Sequence, residues 1–176
     1  MFYNLLLKKN VSQTVRFSDV PSDTWYAEAV HTLASLGMIE GVGNGTFEPE
    51  RAITRAEFTT IAMRFAKLDT TGKNIFSDVS ENDWFYPYVV GSTQYGWING
   101  YPNGTFRPQQ TIGRAEAVAL TNRMLGRSAD ESYVDAHGEK LRQFCDVTAS
   151  HWAYYDIAEA ANGHDYEKTN GAERWK

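Results

Sequence analysis

An internal duplication constrains this chain more than any other feature. Residues 17–57 align with residues 76–116 without a gap, and 18 of the 41 aligned positions are identical. Each copy begins with Phe-Ser-Asp-Val and ends with Arg-Ala-Glu. A third beginning occurs at Phe144, with Trp152 at the same spacing, but no arginine motif follows it. Repeats of this kind bury their apolar faces against neighbouring repeats, so we expect the units to share one core.

The first half of each unit predicts a helix followed by a tight turn. Apolar residues recur at helical spacing from Trp25 to Gly37, and a glycine suits the end of a helix. The pairs Asn44-Gly45 and Asn103-Gly104 come next in their units. Asparagine and glycine tolerate positive φ, so both pairs predict a tight turn.

The arginine motif predicts the start of a second helix. Thr54 can act as its N-cap, with Glu57 reaching back to the cap N–H as in a capping box. In the second unit Gly113 takes the cap position, and glycine is a tolerated N-cap. Both copies keep an arginine, Arg55 and Arg114, where the helix dipole disfavours a cation. Their positions therefore indicate that these arginines bind an anion.

Composition excludes several functional classes. The net charge of −5 over 176 residues argues against a general nucleic-acid binder, which would carry a basic face. Cys145 is the single cysteine, so the chain has no intrachain disulfide framework, and no spacing of ligands indicates a metal site. No apolar run is long enough to cross a membrane. We predict no cofactor, and we interpret residues 1–15 as a linking or clipped segment.

Several separated motifs together resemble the S-layer homology (SLH) domain family. They are Phe-Ser-Asp-Val, the following tryptophan, the Asn-Gly-Thr-Phe loop with its proline, and Thr-Arg-Ala-Glu, in that order and spacing. The resemblance covers nearly all of residues 17–125 and the first half of a third unit. It implies an all-α fold in which tandem repeats pack as a pseudo-threefold helical spindle.

The resemblance also divides the chain. The expected parts are a linker at 1–15, repeat 1 at 16–68, repeat 2 at 75–126, a polar and partly helical linker at 127–143, and a truncated repeat 3 at 144–176. Members of the family are bacterial cell-surface modules. They hold proteins to secondary cell-wall polymers by recognising pyruvate ketals, or to peptidoglycan, in grooves between repeats. An extracellular location at the cell wall or S-layer is therefore implied.

The implied function agrees with the chemistry of the arginine motif. A pyruvate ketal presents a carboxylate, which a guanidinium can grip with two parallel hydrogen bonds. Free N–H groups at the same helix start add donors, and glycines let backbone approach a sugar. The predicted ligand-binding residues are Arg55, Arg114, Thr54, Gly41, Gly43, Gly100, Gly104 and Trp84. Because repeat 3 has no arginine motif, we expect at most two anion sites.

Each of these residues also has a purely structural interpretation. The arginines could form ion pairs with a carboxylate of a neighbouring repeat. Trp25, Trp84 and Trp152 are predicted mainly as core anchors at the head of the first helix, with sugar stacking as the alternative. Trp97 is predicted to lie in the core or between domains. The aspartates of the Phe-Ser-Asp-Val motif are predicted to bond local backbone at the helix start.

Two other functional classes stay open at this point. One is a structural module that self-associates in a surface lattice, and the other is the wall-anchoring part of a longer enzyme. No nucleophile elbow, zinc-protease motif or phosphate loop is present, and no carboxylates are paired as glycoside hydrolysis requires. The sequence therefore predicts a non-catalytic module.

Overall fold

The regular structure is almost entirely helical in the computed structural model, which describes residues 1–176. Seven α-helices are followed by one hairpin, and a 3₁₀ turn at Gly138–Lys140 follows α6. The helices are α1 Phe2–Leu5, α2 Ala27–Ser35, α3 Arg55–Ala66, α4 Tyr86–Gln94, α5 Arg114–Met124, α6 Glu131–His137 and α7 Tyr154–Ala161, and the strands are β1 Tyr166–Thr169 and β2 Ala172–Trp175. The predicted all-α class is confirmed, with this hairpin as the one addition.

The helices of successive units pack against one another. Helices α2 and α3 form the first unit, α4 and α5 the second, and α7 opens the third. Helix α3 packs against α4, and α5 packs against α7, while α3 and α5 also touch. In both junctions the first helix of a unit therefore covers the last helix of the preceding one. A pseudo-threefold relation among the units stays a prediction.

The N-terminal helix α1 joins this core. Phe2 is buried, and its ring centroid lies 5.5 Å from that of Phe58 and 5.3 Å from that of Phe65, both on α3. The same end of the chain reaches α5, where the Thr121 hydroxyl lies 3.6 Å from the Met1 sulfur. Helix α1 also contacts α2. A short apolar segment thus packs among one helix of the second unit and two of the first.

The buried side chains form two cores of very different size. The large core is shared by the first two units and extends from Phe2 to Leu120. The small core lies between α6 and the third unit and contains three buried residues, Val134, Ala158 and Trp175. So small an apolar cluster contributes little to stability, so the third unit depends more on its polar contacts.

A tight turn forms at the Asn-Gly pair of both units, as predicted. Asn44 and Gly45 both have positive φ, at 51° and 73°, as predicted. In the second unit only Gly104 does, at 75°. Pro102 explains the difference, because it favours a turn of ordinary hand with the glycine after it. The Gly104 N–H closes that turn on the Tyr101 carbonyl at 2.9 Å.

The aspartates of the Phe-Ser-Asp-Val motif have a different role from the one predicted. The Asp19 carboxylate accepts from the backbone N–H of Phe47 at 2.8 Å and of Glu48 at 2.7 Å. Asp78 accepts from the equivalent amides of the second unit, at 2.7 and 2.8 Å. Each aspartate therefore ties the start of its unit to the loop before the arginine motif, and the predicted bonds at the helix start are wrong.

Candidate functional site

A cleft of about 690 Å³ lies where the first two units meet and the third begins. Its walls come from α3, the loop after α4, α5, and a tryptophan of the third unit. The lining residues are Arg55, Thr59, Trp97, Ile98, Asn99, Gly100, Tyr101, Pro102, Phe106, Ile112, Glu116, Ala119, Leu120, Arg123 and Trp152. Of the predicted ligand residues, the cleft brings together Arg55 and Gly100. It does not include Arg114, Thr54, Gly41, Gly43, Gly104 or Trp84.

Arg55 is held at the base of this cleft by the second unit. Its side chain is 10% exposed and lies over the rings of Tyr101 and Phe106, at 4.9 and 4.8 Å from their centroids. Its Nε donates to the Phe106 carbonyl at 2.8 Å, and its Nη1 pairs with the Glu116 carboxylate. These bonds leave Nη2 without a protein partner. The ion pair with a neighbouring repeat, one of the two interpretations open from the sequence, is therefore present at Arg55.

The carboxylate of Glu116 accepts bonds from three groups. Besides Arg55, it accepts from the Gly113 N–H at 2.9 Å and from the Tyr101 hydroxyl at 3.1 Å. The bond to Gly113 is the half of the capping box that survives without a side chain at the cap. Glu116 therefore serves the start of α5 and the junction between units at once.

Thr54 forms the complete capping box that its sequence predicts. Its hydroxyl accepts from the Glu57 N–H at 3.2 Å, and Glu57 accepts from the Thr54 N–H at 2.8 Å. Burial acts to raise the pKa of Glu57, but its bonds to Arg51 and Thr54 outweigh this and hold the pKa below its ordinary value. The structure thus uses the Thr54 hydroxyl to start α3.

Arg114 stands in contrast to Arg55. It is exposed at the start of α5 and makes no side-chain hydrogen bond or ion pair. The third unit has no Asn-Gly-Thr-Phe loop to offer it a backbone carbonyl, because residues 166–175 form the hairpin instead. The two motif arginines therefore occupy different environments despite their identical sequence context.

The tryptophans at the heads of the first helices are exposed. Trp25 is 93% exposed, Trp84 58% and Trp152 62%, so their prediction as core anchors is wrong. The physical reason is visible one residue later, where Phe85 and Ala153 turn inward and are buried. Trp152 forms part of the cleft wall. Trp97, predicted in the core, is buried as expected and also borders the cleft.

The glycines divide into two pairs by their surroundings. Gly41 and Gly100 have positive φ, and a Cβ there would lie 2.6 Å from the Phe17 ring and 2.4 Å from the Phe76 ring. Their lack of a side chain makes room for those phenylalanines. Gly43 and Gly104 also have positive φ, but open space surrounds the place of a Cβ.

Arg123 is a cleft residue that the sequence analysis missed. It lies two helical turns beyond Glu116 on α5, and its Nη1 donates to the Trp97 carbonyl at 3.0 Å. This i, i+7 spacing from the motif glutamate is a signal that could have identified it. With Arg55 and Arg123 against Glu116 alone, the ionisable groups of the cleft are net cationic in an acidic chain. Such a site favours an anionic ligand.

The comparison with protein families agrees with this architecture. The model of the S-layer homology domain matches residues 16–59 and again 75–118. The chain belongs to the S-layer homology domain family. The two matched segments are the SLH units whose junction forms the cleft.

Curated relatives share this SLH region. The chain is 37% identical over 169 residues to a cellulosome-anchoring protein of Acetivibrio thermocellus, covering 92% of this chain and 36% of the relative. It is 36% identical over 137 residues to an amylopullulanase of Thermoanaerobacterium thermosulfurigenes, covering 74% of this chain and 7% of that enzyme. With the S-layer protein sap of Bacillus anthracis the identity is 34% over 106 residues, or 59% of this chain and 13% of the relative. The chain thus spans about a third or less of the length of these relatives.

None of the helices has both the length and the apolar character needed to cross a bilayer.

Proposed function

We propose that this chain is a non-catalytic module that anchors a protein to the bacterial cell wall by binding a carboxylate-bearing wall polysaccharide. The observation that carries the proposal is Arg55 at the base of a cleft between two SLH units, with Arg123 and Trp152 on its walls. The names of the relatives, a cellulosome-anchoring protein and S-layer proteins, support an extracellular location at the wall or S-layer. We take a pyruvate ketal as the carboxylate.

The proposed recognition step exchanges one carboxylate for another. In the structure Glu116 occupies Nη1 of Arg55, while Nη2 is free. An incoming ketal carboxylate can bind Nη2 first and then displace Glu116, which keeps its bonds to Gly113 and Tyr101. A guanidinium binding a carboxylate through two parallel bonds selects a planar anion, which an ammonium cannot do as well.

The aromatic side chains supply the rest of the proposed contact. Trp152 offers an exposed indole face at the cleft, and the Tyr101 ring lies beneath Arg55 with its hydroxyl toward Glu116. An indole gives a large apolar face against which the C–H groups of a sugar can pack. Gly100, which also lines the cleft, adds no side chain to it.

Arg114 belongs to a second proposed site. Its guanidinium is exposed and unpaired, so it is accessible to a carboxylate without displacing a protein group. Thr54, Gly41, Gly43, Gly104 and Trp84 stay predicted ligand residues outside the cleft. With no third arginine motif, the proposal limits the chain to two anion sites.

Calorimetric titration with a pyruvylated wall fragment tests the proposal. We expect one or two sites, loss of most of the heat when the ketal carboxylate is removed chemically, and weaker binding in Arg55→Lys. A stoichiometry of three, or equal heats with and without the ketal, would contradict it. Peptidoglycan without the polymer is titrated separately as the alternative ligand.

Self-association in a surface lattice is the second candidate function. Trp25 favours it, because its indole is 93% exposed and offers a large aromatic face for contact with another molecule. Sedimentation velocity at increasing concentration would show assembly without polymer if this function dominates. The wall-binding part of a longer enzyme is compatible with the main proposal, since the chain matches 7% of an amylopullulanase and 12% of an exoglucanase.

A further inference from the structure

The third unit contains a buried group of ionisable side chains that the cleft does not use. Glu159 lies on α7, His164 in the loop after it and Glu173 on β2, and one potential ligand atom from each lies within 4.8 Å of the others. We call these three residues the glutamate-histidine cluster. It bridges α7 and the hairpin, and the hairpin stands where a complete SLH unit has its second half.

The two carboxylates of the cluster are buried with few polar partners. Both side chains are fully inaccessible, and apart from the Arg127 ion pair with Glu159 their four oxygens have no close hydrogen-bond partner. Arg127 is the one nearby guanidinium, with Nη2 at 2.6 Å from Glu159 but Nε at 3.8 Å from Glu173. Burial raises the pKa of Glu159, although Arg127 and His164 oppose the shift. Buried carboxylates in proteins are normally paired and hydrogen-bonded, so one cation for two of them is a deficit.

In its neutral form His164 presents a lone pair to these carboxylates. Its Nδ1 lies 2.9 Å from the Asn162 carbonyl and must donate to it, so in the neutral ring Nε2 carries no proton. That Nε2 lies 3.4 Å from a Glu159 oxygen and 3.6 Å from a Glu173 oxygen. The ring stacks on Trp175 with a centroid distance of 3.8 Å and an angle of 18°, which fixes its orientation. A ring nitrogen held in this way by a carbonyl on the other side is the usual arrangement of a metal-binding histidine.

We propose that Glu159, His164 and Glu173 bind a divalent transition-metal ion of the zinc type. Zinc binds imidazole nitrogen and carboxylate oxygen at about 2.0–2.2 Å, which places tetrahedral ligands about 3.3–3.5 Å apart. The distances from the His164 Nε2 to the glutamates, 3.4 and 3.6 Å, are close to that spacing. The ion would also neutralise two buried negative charges. The mixed nitrogen and oxygen ligands favour zinc over calcium or magnesium, which prefer oxygen alone.

Arg127 must move for the metal to bind. Its Nη2 also lies 3.1 Å from Nε2 of His164, so the guanidinium now lies against the lone pair that the metal would use. The Arg127 side chain is 34% exposed, so it has a path toward solvent. The guanidinium and the metal are therefore competing cations for one anionic site.

The metal would stabilise the third unit by linking its segments. Its three ligands come from separate segments, and the local apolar core has only three buried residues. A structural metal adds its binding free energy to folding, which is how small domains compensate for a small core. The site is independent of the cleft, so it can be tested without any polysaccharide.

The test is metal titration of the full chain after chelator treatment. With zinc as the probe we expect one tight equivalent by calorimetry, and a rise in Tm of about 5–10 °C when free zinc is about a hundredfold above its Kd. Cobalt in place of zinc should give visible absorption of tetrahedral intensity. His137→Gln removes a histidine outside the cluster and should leave all three results unchanged.

Three variants decide between the metal site and a simple buried ion-pair group. Glu173→Gln removes a poorly paired buried charge, so the metal-free protein should stay folded while the zinc-dependent rise in Tm is lost. His164→Gln should also lose it, whereas Arg127→Gln should increase it because the competing cation is gone. The proposal would be overturned if zinc did not change the Tm of the parent chain. It would also be overturned if zinc raised the Tm of Glu173→Gln and His164→Gln as much as that of the parent chain.

Discussion

Arg55 at the start of α3 pairs with Glu116 in the first turn of α5, so one ion pair joins the arginine motifs of two successive SLH units. The sequence shows these residues as parts of two separate copies of the same motif. In the structure the arginine of one copy meets the glutamate of the next. The residue proposed to bind ligand is therefore also a residue that holds the two units together.

This double role predicts a stability cost at Arg55 that Arg114 does not share. Arg55→Ala removes a bond to a carbonyl and a buried ion pair, so we expect a loss of about 2–3 kcal/mol in the free energy of unfolding. Arg114→Ala should change it by less than about 0.5 kcal/mol, because Arg114 is exposed and unpaired. Urea unfolding followed by circular dichroism measures both.

The pairing itself can be measured by a double-mutant cycle of Arg55→Ala and Glu116→Gln. We expect a coupling energy of about 1–3 kcal/mol. Coupling near zero would show that Glu116 serves the α5 cap alone. In that case Arg55 would be available to a ligand without competition.

Trp152 should affect binding without affecting stability. Its side chain is 62% exposed, so Trp152→Ala should leave Tm nearly unchanged, while loss of an aromatic contact worth about 0.5–1.5 kcal/mol weakens binding about threefold to tenfold. Trp25→Ala is the matched control, because Trp25 is exposed at the equivalent position of the first unit and lies outside the cleft. Equal losses of affinity in both variants would point to a different binding surface.

Gly41 should tolerate a side chain much less well than Gly37. Both have positive φ, where alanine costs about 1–2 kcal/mol. A Cβ on Gly41 would also lie 2.4 Å from the Thr46 carbonyl oxygen and 2.6 Å from the Phe17 ring, while at Gly37 nothing lies within 4 Å. We expect Gly41→Ala to lose a further 1–3 kcal/mol or so by overpacking. Thermal unfolding of the two variants side by side checks the difference.

The third unit should lose stability in acid through Asp130. Burial acts to raise the pKa of Asp130, but the N–H groups of Tyr133 and Trp175 and the charge of Arg174 outweigh it and lower the pKa below its ordinary value. A carboxyl whose pKa is lower in the folded state stabilises the fold above its ordinary pKa, near 3.9, and this contribution fades as pH falls through the folded pKa.

The free energy of unfolding should therefore decrease as the pH is lowered from 6 to 3, and the decrease should be smaller in Asp130→Asn. The asparagine oxygen can still accept from the Tyr133 N–H, so the start of α6 is kept. An unchanged pH dependence in this variant would mean that other carboxylates account for the acid sensitivity.

How far the sequence predicted this molecule depended on whether a feature was local or long-range. The capping box of Thr54 and Glu57 is confirmed, because both partners lie within one helical turn. The tight turns at the two Asn-Gly pairs are confirmed for the same reason, although after Pro102 only Gly104 takes positive φ. The predicted bonds of Asp19 were wrong, because its partners lie 28 and 29 residues further along the chain.

The cleft shows the same limit. Arg55 and Gly100 were predicted from the repeated motif, but Arg123 and the pairing of Arg55 with Glu116 depend on how two units pack. The exposed tryptophans were misplaced because hydrophobicity alone cannot show which of two adjacent aromatic residues turns inward, as Trp84 and Phe85 illustrate. The hairpin and the glutamate-histidine cluster lie where the third unit diverges from the repeat, so the duplication carried no information about them.

The most direct test of wall anchoring is co-sedimentation of the chain with bacterial wall sacculi that carry a pyruvylated polymer. Sacculi stripped of pyruvate, and the Arg55→Lys/Arg114→Lys variant with its helical signal intact, complete the comparison. We predict pelleting of the parent chain with pyruvylated walls, with strong reductions in both other cases. Equal pelleting in all three would contradict carboxylate recognition by these arginines and would favour peptidoglycan binding or lattice assembly.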